Sequence, residues 1–262
     1  MGILNVTPDS FSDGGAFLSV EKALAHARAM ITSGADIIDV GGESTRPGAE
    51  PVSVDEEIRR VVPIVRLLCE QENCLVSVDT SKSEVAKAAI EAGAEIVNDV
   101  CANRMETSMW ETVSETGAGY IMMHMQGTPQ TMQTAPSYHD VSLEVFRFFE
   151  ERLARLSQLG VESASVMLDP GIGFGKLVEH NLELLANLGA FVRLERPLLL
   201  GVSRKSFLGQ VTGARVEDRM VESVVAGALG VMQGAHCLRV HDVAETVRAL
   251  QLVRSIREVS KS

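Results

Sequence analysis

The chain has 262 residues, 45% of them hydrophobic, with a formal net charge of −11. That length buries a sizeable core within one domain, so 1–262 reads as a single unit. The negative charge is dispersed with no basic, aromatic-interleaved stripe, which argues against a nucleic-acid partner, and no apolar run reaches the roughly 18 residues of a membrane span.

The first residues show neither the basic and apolar regions of a secretory leader nor a myristoylation signal. Cys69, Cys74, Cys101 and Cys237 form no CxxC pair and no Cys/His cluster, so a structural zinc site is not expected. The expectation is a cytoplasmic chain with reduced, mostly buried thiols.

GILNV (2–6) opens the chain as a buried strand and hands over to TPDSFSDGG (7–15), a polar loop that Gly14 and Gly15 can hinge. Val20, Ala23, Leu24, Ala27, Met30 and Ile31 then fall on one helical stripe, with Ser19 as the expected cap and Gly34 as the stop. DIIDV (36–40) is the second strand, followed by another Gly- and Pro-rich loop, GGESTRPGAEP (41–51). Ser53 and Glu56 form a capping box for a helix that Pro63 is expected to kink. CLVSV (74–78) follows, then a helix predicted to start with Ser81 and Glu84 and to stop at Gly93. EIVND (95–99), GYIMM (119–123), SVMLD (165–169), PLLLGV (197–202) and HCLRV (236–240) complete eight strand-like runs. Asp242 and Glu245 open the last helix, which carries Val243, Val247, Leu250 and Val253.

Continuous rather than alternating apolarity is the mark of parallel strands covered on both faces. The steps from Asn5 to Arg239 average about 33 residues, the length of a strand-helix-strand crossover. Eight such units predict an α/β fold, a (β/α)8 TIM barrel, whose site lies at the carboxyl ends of the strands.

Those ends carry Asn5, Asp39, Asp79, Asn98 with Asp99, His124, Asp169, Lys205 just past strand seven, and Arg239 with His241. Asp39, Asp79, Asn98 and Asp169 suit a flat heterocycle with paired N–H donors along one edge. Lys205, Arg239 and His241 lie ahead of the last helix, where a helix N-terminus favours an anion such as a phosphate or pyrophosphate. GIGFGK (171–176) matches neither the GxGxxG nor the GxxxxGK[ST] spacing and reads as a flexible sixth loop with Phe174 as a stacking face. His124 reads as a satisfied rim histidine. His26, His139 and His180 are expected to face solvent, and Met122, Met123 and Met125 to serve packing.

NVTPDSFSDGG (5–15), DVGGESTRPGA (39–49), SVDTSK (77–82), IVNDV (96–100), LDPGIGFGK (168–176), GVSRKSFLG (201–209) and LRVHDV (238–243) resemble, in order and over nearly the whole chain, the dihydropteroate synthase family. The resemblance implies a barrel enzyme that joins 6-hydroxymethyl-7,8-dihydropterin pyrophosphate to 4-aminobenzoate and releases pyrophosphate with Mg2+ help, a cytoplasmic homodimer and a sulfonamide target. Carried over to this sequence, it implies that Asp79, Asn98, Asp169 and Lys205 hold the pterin with Asp39 nearby. Asn5 would coordinate Mg2+ on the pyrophosphate, which Arg239 and His241 would bind, and Lys205, Arg239 and His241 would be the catalytic residues. Phe11, Thr45, Arg46, Pro47, Phe174 and Ser206 would build the aminobenzoate pocket, with loops one and two closing over bound pyrophosphate. Loop one lacks the changes around Phe11 expected of sulfonamide-insensitive forms.

The family usually has a short segment before MGILNV, whereas this sequence starts at strand one. Two other readings use the same pterin pocket: a methyltetrahydrofolate-dependent methyltransferase barrel, and a paralogue that binds pterin without turnover. The SRKS and DSFSDGG segments favour the synthase over the first, and Asn5, Lys205, Arg239 and His241 over the second.

Overall fold

The computed structural model describes residues 1–6, 16–44, 49–104 and 108–259, apart from the side chains of 16–19. Eight parallel strands are found among them: β1 (Gly2–Asn5), β2 (Ile37–Gly41), β3 (Leu75–Asp79), β4 (Ile96–Asp99), β5 (Gly119–Met123), β6 (Val166–Asp169), β7 (Leu199–Leu200) and β8 (Cys237–Leu238). The first six form one sheet in sequence order and the last two a second ladder. Single bridges, Leu168 to Leu198 and Gly2 to Val240, join the two into a ring. Backbone bonds from Leu168 N to Pro197 O (2.9 Å) and from Ile3 N to Val240 O (3.0 Å) support these junctions.

The helices among the described residues are α1 (Ala16–Thr32), α2 (Val54–Gln71), α3 (Ser83–Glu91), α4 (Met109–Thr116), α5 (Val141–Gln158), α6 (Val178–Ala186), α7 (Ser206–Thr212), α8 (Met220–Met232) and α9 (Val243–Val259). The predicted (β/α)8 barrel is the observed architecture. It carries one helix more than eight units require, because the SRKS segment opens into the short α7, which Gly213 ends at φ +81°.

Local signals fared unevenly. Ser53 Oγ does accept from Glu56 N, and α2 runs through Pro63 as one helix. Ser19 is not a cap, since α1 already begins at Ala16. The third helix starts at Ser83 with Lys82 in the capping position; Thr80 Oγ1, rather than Ser81, satisfies Lys82 N at 3.2 Å. Asp242 occupies the capping position of α9, but Arg204 holds its carboxylate. Of the four thiols, all free, Cys101 is buried and the other three are half-buried.

Strand parity sorts the side chains. Leu4, Ile38, Val40, Val76, Val78, Val97, Tyr120, Met122, Val166, Leu168, Leu200 and Leu238 belong to the large core shared with the helices. A small separate cluster of Met1, Ile121 and Leu199, lined by Ile37, Ile96, Met167 and Cys237, comes from the opposite parity and plugs the barrel interior. Two residues further along those same strands, the inward positions are Asp39, Asn98, Met123, Asp169 and Arg239. The interior is therefore apolar below and polar at the carboxyl rim.

Candidate active site

Asp39 is fully buried on β2, Asp79 and Asp169 end β3 and β6, and Asn98 is the last residue but one of β4, each of these three with at most 6% of its surface exposed. Arg239, just past β8, reaches across the barrel and forks between two of them. Its Nε donates to Asp39 Oδ2 and its Nη2 to Asp79 Oδ2, each at 2.6 Å. Asn98 Nδ2 donates to the same Asp39 oxygen at 3.0 Å. Asp39 Oδ1 and Asp79 Oδ1 are buried and have no hydrogen-bond partner among the described residues.

Three carboxylates, Asp39, Asp79 and Asp169, thus share the rim with Arg239 and Lys205. Burial pushes the Asp79 carboxyl up to about 7 against the pull of Arg239, and the neighbouring Asp39 adds to the rise. Asp169 is also raised by burial, with Lys205 opposing. Its Oδ1 accepts Gly171 N at 2.8 Å, which fixes the turn into loop six. Buried acceptors with spare lone pairs and perturbed titration are what a binding site for N–H donors requires.

Lys205 caps α7 and points back over loop six. It donates to Ile172 O, and its ammonium lies 4.5 Å from the centre of the Phe174 ring. Burial lowers its pKa to about 8, with Asp169 opposing and Arg239 adding to the fall. Gly173 makes room for it: at φ +83°, a Cβ there would come within 3.0 Å of Lys205 Cδ. The backbone of the preceding residue, Arg204, is left-handed at φ +57° and held from three sides. Arg204 N donates to Ser223 Oγ (2.8 Å), its carbonyl accepts from Arg219 (3.3 Å), and its side chain forks onto Asp242. That last pairing offsets the Asp242 carboxylate at the N-terminus of α9, whose first turn also carries Glu245. His241, beside it, exchanges hydrogen bonds with Ser203: Nδ1 lies 2.9 Å from Oγ, and His241 N donates to the same oxygen at 3.2 Å.

Of the predicted site residues, Asp39, Asp79, Asn98, Asp169, Lys205 and Arg239 converge on one rim. Arg239 is engaged with two carboxylates, which ties it to the acidic group rather than leaving it apart. Asn5 ends β1 beside this group: a Cβ on Gly41 would lie 3.8 Å from Asn5 Oδ1 and 3.5 Å from Asp79 Cβ. Phe174 is half-buried against the cluster of Val100, Cys101, Met123, Met125 and Met132, and Ser206, the first residue of α7, is exposed. Phe11, Thr45, Arg46 and Pro47 lie outside the described residues.

Other expectations need correction. Asp99 does not face the site: it accepts from Cys101 N, Asn103 N and Tyr120 OH on the outer side of the barrel. Loop six is tied down rather than free, and His180 is half-buried, with Leu177 N donating to its Nδ1 at 3.1 Å. His26 and His139 are exposed and Met122, Met123 and Met125 buried, as expected.

Two features escaped the sequence. Lys82 bridges Glu43 of loop two and the buried Glu57 of α2. Burial works against that ammonium, but the hydrogen bonds it donates to the two carboxylates outweigh it and raise its pKa. Lys176, in the discounted GIGFGK segment, is buried against His124 at 3.0 Å. Spacing gives no sign of either contact, since each joins segments far apart in the chain.

A model of the pterin binding enzyme family matches residues 1–241. Dihydropteroate synthase from Escherichia coli is 50% identical over 97% of this chain and 90% of that protein. The structure of the Yersinia pestis synthase with a sulfonamide drug superposes with a TM-score of 0.93 at 45% identity, covering 98% of this chain and 94% of that one. The Xanthomonas albilineans synthase with 4-aminobenzoic acid gives 0.92 at 45% identity, covering 98% and 92%. The chain belongs to the pterin binding enzymes, among the dihydropteroate synthases.

Proposed function

We propose that the enzyme binds 6-hydroxymethyl-7,8-dihydropterin pyrophosphate in the carboxyl-end rim and transfers its pterinylmethyl group to the amine of 4-aminobenzoate, releasing pyrophosphate. The observation that carries this reading is the pair of buried carboxylate oxygens, Asp39 Oδ1 and Asp79 Oδ1, with no hydrogen bond among the described residues. The amino and ring N–H groups of a pterin are donors of the right kind, and each bond made there relieves a desolvation penalty already incurred on folding. Asn98 and Asp169 complete the edge.

In this reading Lys205 lies over the ring near Asp169. Arg239 has Nε and Nη2 on carboxylates and makes no further hydrogen bond among the described residues, which leaves Nη1 for an oxygen of the leaving group. His241 and the N-terminus of α9 lie on the same side. As the C–O bond to pyrophosphate breaks, negative charge grows where these groups point, and positive charge grows on the pterin methylene beside the carboxylates. Stabilisation of both in a dry site accelerates the step. The amine of 4-aminobenzoate then forms the C–N bond and gives up a proton.

Mg2+ fits as a partner of the pyrophosphate more than of the protein. The described residues hold no group of three or more His, Cys, Asp or Glu that could cage a metal, and Asn5 offers an amide oxygen at the rim. An ion bound through one protein oxygen and substrate phosphates is the usual Mg2+ arrangement, and when bound it would supply charge neutralisation of the leaving group. Phe174 and Ser206, with Phe11, Thr45, Arg46 and Pro47, are assigned to the aminobenzoate.

A homodimer is proposed from the outer faces of α8 and α9. Val221, Val225 and Leu229 recur every four residues along α8, each more than half exposed, with Leu252 and Ile256 on α9. Val225→Glu should turn a dimer into a monomer in light scattering. No helix among the described residues is long and apolar enough to cross a membrane. A cytoplasmic location is proposed from the four free thiols.

The test of function is pyrophosphate release from the pterin substrate with and without 4-aminobenzoate. Release that requires both substrates and Mg2+, and yields 7,8-dihydropteroate, supports the reading. Binding of the pterin without turnover would instead support the non-catalytic paralogue.

A further inference from the structure

We propose that Lys176 is a positioning residue for the reaction: its ammonium locks loop six to loop five and thereby sets the Phe174 wall and the Lys205 ammonium at the mouth of the pocket. The inference rests on the synthase reading, which assigns Phe174 to the aminobenzoate and Lys205 to the pterin.

The ammonium has three N–H bonds and finds three acceptors. Nζ lies 3.0 Å from His124 Nδ1, 3.3 Å from His124 O and 3.0 Å from Phe174 O. None of these is a carboxylate, so Lys176 is neither a surface ion pair nor half of a buried one. It is 3% exposed, and burial pulls its pKa well below the ordinary lysine value. A buried cation satisfied wholly by neutral acceptors is costly, and it persists only where the geometry it enforces is needed.

That geometry is unusual. Gly171, Gly173 and Gly175 are all left-handed, and each meets a close neighbour. A Cβ on Gly171 would sit 1.8 Å from His124 O, and one on Gly175 would sit 2.3 Å from Gln126 O. Loop six is therefore pressed onto the backbone of loop five. Tyr138 OH donates to Gly175 O at 2.8 Å and Gln133 Nε2 to Gly173 O at 3.0 Å, both from loop five. Lys176 binds the carbonyl of Phe174 itself, and Lys205 binds the carbonyl two residues earlier, Ile172. Two lysines thus hold one loop by two of its carbonyls. His124 must present an unprotonated Nδ1 to take part, and burial, with the charge of Lys176, pulls its pKa well below the usual value.

Steady-state kinetics with four variants tests this. Lys176→Met keeps the volume and removes the donors. His124→Leu removes the acceptor, whereas His124→Asn retains an amide oxygen near the Nδ1 position. Lys176→Met and His124→Leu should each raise KM for 4-aminobenzoate about tenfold, since small misplacements of a positioning wall are expensive. Affinity for the pterin pyrophosphate should fall less, about threefold, because Lys205 and Asp169 lean on loop six while Asp39, Asp79 and Asn98 sit on other strands. His124→Asn should restore the wild-type KM, and Phe174→Ala should raise it as Lys176→Met does. Simple destabilisation would lower the active fraction, and so apparent kcat, at unchanged KM. An unchanged aminobenzoate KM in folded Lys176→Met overturns the proposal, and so does equal damage in His124→Leu and His124→Asn should Lys176→Met fail to fold. A wild-type enzyme that releases no pyrophosphate would overturn the parent reading, and the inference with it.

Discussion

Asn98 and Asp99 are consecutive residues at the end of β4, and the polar groups around them differ in how fully they are satisfied. On the inner side, Asn98 joins Asp39, Asp79 and Arg239, where two carboxylate oxygens keep no hydrogen bond among the described residues. On the outer side, Asp99 accepts from two backbone N–H groups and from Tyr120 OH at 2.7 Å, while Trp110 Nε1 donates to that same hydroxyl at 3.0 Å. Both groups are buried, so both incurred the cost of leaving water. The outer one recovers it within the fold and fixes loop four, whose Ala102 and Asn103 are left-handed. The inner one does not recover all of it, and in the proposed function a ligand recovers the rest. A buried carboxylate is thus a structural part where its acceptors are filled and a recognition surface where they are not.

Breaking the inner group should have the largest consequence. Arg239→Leu strands Asp39 and Asp79 without their cation, which should cost about 3 kcal/mol of stability and lower kcat/KM by roughly a thousandfold. Chemical denaturation and initial rates measure the two, and an unchanged stability would mean the acids do not depend on the arginine. Asp169→Asn is gentler on the fold, but sets an amide donor against a ligand donor. Pterin affinity measured by calorimetry should fall by about 2 kcal/mol with little change in Tm.

The pH profile sharpens the comparison. Lys205 must be charged to act, and its pKa lies near 8, so kcat/KM should fall as pH rises through about 8. The sign for stability is opposite. The unfolded chain holds that proton up to the ordinary 10.5, so this group's contribution to stability rises with pH between the two values. Lys205→Arg, which keeps its charge, should remove the alkaline fall. The smallest effect belongs to the outer group: Tyr120→Phe should cost about 1 kcal/mol in denaturation and leave both KM values unchanged.

The barrel was legible because its evidence is repeated. Each strand carries the same continuous apolarity, and a helix separates each strand from the next. The rim was legible as a set for the same reason. What the sequence blurred was parity: Asn98 and Asp99 both read as rim residues, although alternation along β4 puts Ile96 and Asn98 inward and so sends Asp99 out. The extra helix α7 was hidden by its seven residues, too few for a periodic signal. The engagement of Arg239 with Asp39 and Asp79 joins positions 200 and 160 apart in sequence, as Lys176 joins His124 across 52. No local rule reaches such distances, because only the closed ring brings these strand ends together.

The central claim is that unfilled acceptors at Asp39 and Asp79 recognise the donor edge of a pterin. Titration calorimetry on the unaltered enzyme tests it with two ligands, a pterin and the same ring with its amino group replaced by a carbonyl. The account predicts a loss of about a hundredfold or more for the second, because an acceptor would then face a buried acceptor. Equal affinity for both would contradict it.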